Sequence, residues 1–141
     1  MFTSRWPARR QHRRRRLVLM LVSIASIVAP AYAHHSFAAD YFEDRMIQIE
    51  GELVEFEYRA PHAWVHVNAP DENGRMQRFA AEWANPTRLG REGITKDTLR
   101  PGDRVIVSGS PSRRDADRKL HLKGIERPAD GWRWKGRAGR R

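Results

Sequence analysis

The chain has 141 residues and a formal net charge of +10, but this charge is distributed unevenly. Residues 1–33 carry 7 arginines and no acidic residue, residues 34–130 carry 15 basic and 17 acidic residues, and residues 131–141 carry 5 basic residues. The long middle part is therefore close to neutral, which makes nucleic acid an unexpected partner, because such binding needs a basic surface. The absence of cysteine excludes a disulfide framework, so a hydrophobic core must stabilise the fold.

Residues 1–33 have the three parts of a cleavable export signal in the required order. Arginines, including the run at 13–16, precede an apolar stretch at 17–28, and Ala31-Tyr32-Ala33 fits the small-residue rule for cleavage. As a helix, the apolar stretch would measure about 18 Å, too short for a hydrocarbon core of about 30 Å. We therefore expect export to the periplasm and a mature chain that begins at His34. The arginine run leaves both the general secretory and the twin-arginine routes open.

Residues 46–59 predict one long strand whose apolar face changes midway. Apolar side chains occupy odd positions up to Leu53 and even positions from Val54 onward, with glutamates between them. Because side chains alternate across a strand, such a switch indicates a bulge near these two residues. Together with Gly51, the bulge would bend the strand so that its halves line different parts of a small barrel.

Residues 63–69 and 75–83 predict a β-hairpin. Both segments are rich in strand-forming residues, and the connection contains Asn73-Gly74, a pair that tolerates the positive φ of tight turns.

A short helix is predicted after this hairpin. Asn85 is a suitable N-cap and Pro86 a suitable first helical residue. The helix should run through Leu89, and either Gly90 or Gly93 should end it.

Two further strands are predicted at residues 104–110 and 119–126. The resulting order is three strands, a short helical connection between strands 3 and 4, and two more strands. This order is typical of a small five-stranded OB-like Greek-key barrel, so the predicted fold class is mainly β. A small sandwich is the alternative. We expect one domain at residues 34–130, followed by a basic tail at 131–141.

Four segments resemble a known family: HHSFAADYF, PHAWVHV, EWANPTRLGREGIT and LRPGDRVIVSGSP. In this order they resemble the small exported bacterial proteins of domain of unknown function family 6152, over roughly residues 34–127. The resemblance implies an OB-like β domain outside the cytoplasm and no established activity. Ala60 stands where many members have asparagine, which argues against a role for a side-chain amide at this position.

Histidines at the expected mature N-terminus suggest a metal site. The free amine and imidazole of His34 can chelate one ion together, His35 follows directly, and nitrogen-rich sites suit Cu(II). A third nitrogen would come from His62, His66 or His121. Cleavage one residue earlier would instead give Ala-His-His, which also chelates copper. The alternative is that the paired histidines are simply a polar, mobile chain start.

His62, Trp64 and His66 share one parity within the second strand and should therefore lie on one face. Such a face could line a groove for a small ligand. The two histidines are four residues apart, which is about 13 Å along a strand, so they cannot hold one ion by themselves. The alternative is that Trp64 belongs to the core and that the histidines are hydrogen-bonded at the barrel rim.

The tail alternates aromatic and basic residues at Trp132, Arg133, Trp134 and Lys135. This composition suits peripheral contact with an anionic membrane. Its glycines favour the alternative of a disordered tail.

No catalytic motif is present in the sequence, which has no thiol, no G-x-S-x-G elbow, no glycine-rich phosphate loop and no H-E-x-x-H. The sequence therefore predicts an exported, non-enzymatic binding or accessory protein for a small ligand or an envelope protein. A copper-binding or copper-delivery protein and a membrane-surface protein are the alternatives.

Overall fold

The computed structural model describes residues 37–136, which form six strands and two short helices. Residues 1–36, which include the predicted export signal as well as His34 and His35, and residues 137–141 lie outside this part. No helix within it is long and apolar enough to cross a membrane. In chain order the elements are α1 Phe37–Asp40, β1 Ile47–Glu57, β2 Trp64–Pro70, β3 Met76–Glu82, α2 Pro86–Arg91, β4 Arg104–Pro111, a 3-10 turn Asp115–Asp117, β5 Lys119–Arg127 and β6 Trp132–Lys135.

Five of the strands close into a barrel in the order β3-β2-β1-β4-β5. Neighbouring strands in this order are antiparallel. A short parallel pairing of β3 with β5, from Ala80 opposite Lys119 to Glu82 opposite His121, completes the circle. This is the topology of an OB barrel. The predicted fold class and the helical connection between strands 3 and 4 are thus confirmed, and the sandwich is excluded.

The predicted bulge in β1 is present. Leu53 lies opposite Val67 and Glu55 lies opposite His66 on β2, so Val54 is the extra residue. An extra residue inverts the alternation of side chains. The first half of β1 therefore faces the core through odd positions, whereas the second half packs against it through Phe56.

Gly51 lies where the backbone of β1 runs close against β2. A Cβ at this position would stand 2.0 Å from the carbonyl oxygen of Asn68, far inside any allowed contact. A glycine is therefore needed for the two backbones to approach each other.

The α2 helix begins as predicted, because the Asn85 side chain accepts a hydrogen bond from the backbone N–H of Thr87 at 2.7 Å. It continues past Gly90 to Arg91. Gly93, with a φ of 82°, follows the end of the helix. Of the two glycines proposed to end it, Gly93 is thus the correct one.

Residues 131–141 were expected to be a disordered tail outside the domain, and this is wrong for their first part. Residues Trp132–Lys135 form β6, which pairs antiparallel with the end of β5. The Trp134 ring packs edge-on against buried Trp83, with ring centres 5.0 Å apart. Its indole N–H donates a hydrogen bond to Glu92 at 2.6 Å. The domain therefore extends beyond residue 130, because two tryptophans pack against the barrel core.

Candidate functional site

Two of the predicted histidines lie beside α1. His62 lies two residues before the start of β2, and His121 lies on β5. The Phe37 ring, on α1, stacks nearly parallel on His121 with ring centres 3.7 Å apart, and its centre lies 5.5 Å from that of His62. One aromatic side chain thus contacts both imidazoles.

Glu82, at the end of β3, connects this group to the barrel. It lies opposite His121 in the parallel pairing, and one carboxylate oxygen contacts Nδ1 of His62. The other oxygen accepts a hydrogen bond from the buried Tyr41 hydroxyl at 2.6 Å. Burial, together with this hydrogen bond, raises the pKa of Tyr41 well above its ordinary value, so Tyr41 remains a proton donor.

His121 has its own carboxylate partner. Nδ1 of His121 lies 2.7 Å from an oxygen of Glu43, whose other oxygen accepts from the Lys123 ammonium. Burial lowers the pKa of His121. Burial alone would raise the pKa of Glu43, but the hydrogen bonds from Lys123 and His121 leave it lowered. At neutral pH the pair is therefore a neutral imidazole beside an ionised carboxylate.

Both imidazoles thus resemble metal ligands in one respect. A histidine that binds a metal through one ring nitrogen usually donates the other N–H to a carboxylate, which fixes its tautomer. With Nδ1 held by Glu82 or Glu43, the nitrogen left for an ion is Nε2 in each case. Within residues 37–136, however, neither histidine belongs to a group of three whose ligand atoms lie within 4.8 Å of one another. Among the described residues, these imidazoles therefore have no third side-chain ligand within that distance.

His66 stands apart from His62. The burial of β2 alternates as expected, with Val65 and Val67 inside and His62, Trp64 and His66 half-buried on the other side. His66, however, bonds Glu57 through Nε2 at 3.0 Å, whereas His62 bonds Glu82. The shared face therefore does not bring the two histidines to the same carboxylate.

His66 belongs to a second group, with Glu55 and Glu57. Their ligand atoms lie within 4.8 Å of one another, the one such group of three within residues 37–136. Both carboxylates already have cationic partners, since Arg78 pairs with Glu55 at 2.9 Å and Arg59 with Glu57 at 2.6 Å. The group is an ion-pair network on the barrel surface.

Sequence reasoning missed the residues that organise the first group: Phe37, Tyr41, Glu43 and Glu82. Glu82 reads as a single carboxylate in the sequence, and its contacts depend on the parallel pairing of β3 with β5. His34 and His35, the other predicted copper ligands, lie outside the described residues.

The fold and the site define a small OB-type barrel protein with a histidine and carboxylate cluster beside α1. The chain belongs to the Family of unknown function (DUF6152), whose sequence model matches residues 21–121. The resemblance noted from the sequence is thereby confirmed. No curated protein matches this chain.

Two solved structures are similar in shape. One is the mitochondrial single-stranded DNA binding protein Rim1 from S. cerevisiae, with 16% identity, a TM-score of 0.43, and coverage of 58% of this chain and 92% of that protein. The other is the small single-stranded DNA-binding protein from Streptomyces coelicolor, with 18% identity, a TM-score of 0.40, and coverage of 62% and 95%. Binding of single-stranded DNA is a property of those proteins.

Proposed function

We propose that this protein is an exported, non-enzymatic accessory protein of the periplasm that binds a copper ion beside α1. One observation carries the proposal: His62 and His121, each backed by a carboxylate, both contact Phe37. Phe37 follows His34 by only three residues. This short separation in the sequence is the reason for including the N-terminal histidines in the proposed site.

Only three residue steps separate His34 from Phe37 in the sequence, and both His62 and His121 pack against the Phe37 ring. An extended chain advances by at most about 3.6 Å per residue. This short separation along the chain supports a copper site that uses the N-terminal amine and one of these imidazoles.

Export supplies the remaining ligand in this proposal. Cleavage after Ala33 would free the amine of His34, which can chelate one ion together with its own imidazole. Nε2 of His62 or His121 would add a third nitrogen. Nitrogen-rich sites of this kind bind copper(II) more tightly than they bind the other common divalent metals.

A copper titration of the mature protein tests this proposal. The comparison includes a chain with one serine added before His34, the variants H62Q and H121Q, and the control H66Q, whose histidine bonds a different carboxylate. We expect the added serine and at least one of H62Q and H121Q to weaken copper binding about tenfold or more, since losing a ligand or its outer partner typically costs this much. H66Q should bind like the wild type. Equal affinity in all the variants would contradict the proposal.

We also propose that nucleic acid is not a partner, despite the barrel topology. Residues 34–130 carry 15 basic against 17 acidic residues, whereas nucleic-acid binding depends on neutralising phosphates with cations. Contact with a membrane through the tail gains no support either, since Trp132 and Trp134 are half-buried against the core. Fluorescence anisotropy with a labelled oligothymidine should show no binding. Binding that weakens as salt is added would contradict this proposal.

A further inference from the structure

The barrel has a cavity of about 820 Å³ that involves none of the histidines. It lies between the start of β1, the turn that joins β2 to β3, and the connection from β4 to β5. Its apolar lining includes Ile49, Phe79 and Leu120, which belong to the core. A volume of this size is typical of sites for small organic molecules.

The lining of this cavity is cationic, in contrast to the nearly neutral domain. Two acidic residues line it, Asp71 and Glu72. Asp71 already accepts hydrogen bonds from the backbone N–H groups of Asn73 and Arg75, so it serves the turn. Five basic residues line the same cavity: Arg45, Arg75, Arg114, Arg118 and Lys119.

Arg118 is held in an unusual conformation at the cavity. Its φ is 44°, in the left-handed region that residues other than glycine rarely adopt. Its carbonyl accepts from the backbone N–H of Ala80 at 3.1 Å, which ties it to β3. Its guanidinium lies 3.9 Å from Asp71, near the limit for an ion pair. Such a loose pair leaves its donors available to an anion.

We infer that this cavity binds a small organic anion with an apolar body. The apolar part would rest on Ile49, Phe79 and Leu120, and the anionic group, a carboxylate or a sulfate or phosphate ester, would face the arginines. An apolar floor and a cationic rim in one cavity suit a ligand that is both apolar and anionic. It is independent of the copper proposal, because no histidine takes part.

An NMR titration with octanoate tests the inference on the mature protein. Below its micellar concentration, octanoate should shift amide signals of residues 71–75 and 112–120 in a saturable way. The neutral analogue octanamide should bind about tenfold more weakly, since it lacks the charge that arginine recognises. This comparison uses the wild-type protein and therefore does not depend on the folding of a variant.

Variants that remove arginine charges from the cavity provide a second test. The double variant R75Q/R118N should weaken octanoate binding about tenfold, and asparagine tolerates the positive φ at position 118. The control R104Q removes an exposed arginine that pairs with Glu50 outside the cavity, and it should bind like the wild type. Equal binding of octanoate and octanamide, shifts confined to other residues, or equal affinity of R75Q/R118N and R104Q would overturn the inference.

Discussion

Replacing Gly51 with alanine should destabilise the barrel strongly. The added Cβ would meet the Asn68 carbonyl oxygen at 2.0 Å, the Asn68 carbonyl carbon at 2.8 Å and the Cβ of Ala69 at 2.9 Å. All three atoms belong to β2, and two of them are backbone. Gly51 is also paired with Val105 on β4, so β1 cannot retreat without disturbing a second pairing.

The size of the effect follows from this geometry. Ordinary contacts of a Cβ begin at 3.4 Å, so β1 and β2 must separate by about 1.4 Å at this point. Overpacking of a core costs about 1 to 3 kcal/mol, and displacement of backbone belongs at the upper end of that range. We therefore expect G51A to lose about 3 kcal/mol of unfolding free energy. That is a large share of the 5 to 15 kcal/mol typical of a domain.

Gly90 provides the matched control. It lies inside α2, and a Cβ there would meet only the Tyr58 hydroxyl, at 3.5 Å. G90A should therefore stabilise the protein by about 0.5 to 1 kcal/mol, the usual gain of alanine over glycine in a helix. Urea unfolding followed by tryptophan fluorescence measures both variants. If G51A unfolded at the same urea concentration as the wild type, the close approach of β1 and β2 would be refuted.

Two further predictions concern the stability that Trp134 contributes and the loss of stability at acidic pH. W134A should destabilise by about 2 to 3 kcal/mol, less than a fully buried tryptophan, because the Trp134 ring is half-buried on Trp83. W134F, which keeps a smaller aromatic ring and loses the indole N–H that donates to Glu92, should cost about 1 kcal/mol. Equal unfolding of W134A and the wild type would show that β6 does not stabilise the barrel. Backbone hydrogen bonds, that from Arg75 first, hold the pKa of Asp71 below its ordinary value. Its stabilising contribution is therefore present above the ordinary pKa of about 4 and is lost as the pH falls through the lowered value. D71N should lose less stability than the wild type as the pH falls through this acid range. An NMR titration that gave Asp71 an ordinary or raised pKa would contradict this prediction.

Local patterns were enough to predict most of the barrel. The switch of apolar parity at Leu53 and Val54 located the bulge, and Asn85-Pro86 located the start of α2, because both are determined by neighbours in the chain. The sixth strand was missed, because the glycines and basic residues around Trp132 and Trp134 resemble those of a disordered tail. What makes this segment a strand is pairing with β5 and packing on Trp83, and neither is visible locally.

The candidate site was harder to predict than the fold. Its histidines were identifiable by residue type, but their partners depend on pairings between distant segments. Glu82 reaches His62 and Tyr41 only because β3 closes against β5 and α1 packs beside them. His66 pairs with Glu57 rather than with His62, because strand register determines which side chains face each other across β1 and β2.

In the proposed function, export creates an N-terminal histidine, and this histidine binds copper together with the barrel. The most direct test is the intact mass of the exported protein, isolated from the periplasm and measured under native conditions with metal retained. We expect a chain that begins at His34 and carries one copper ion, which is lost on denaturation. A chain that begins elsewhere, or one that begins at His34 and remains free of copper after growth with copper, would contradict the account.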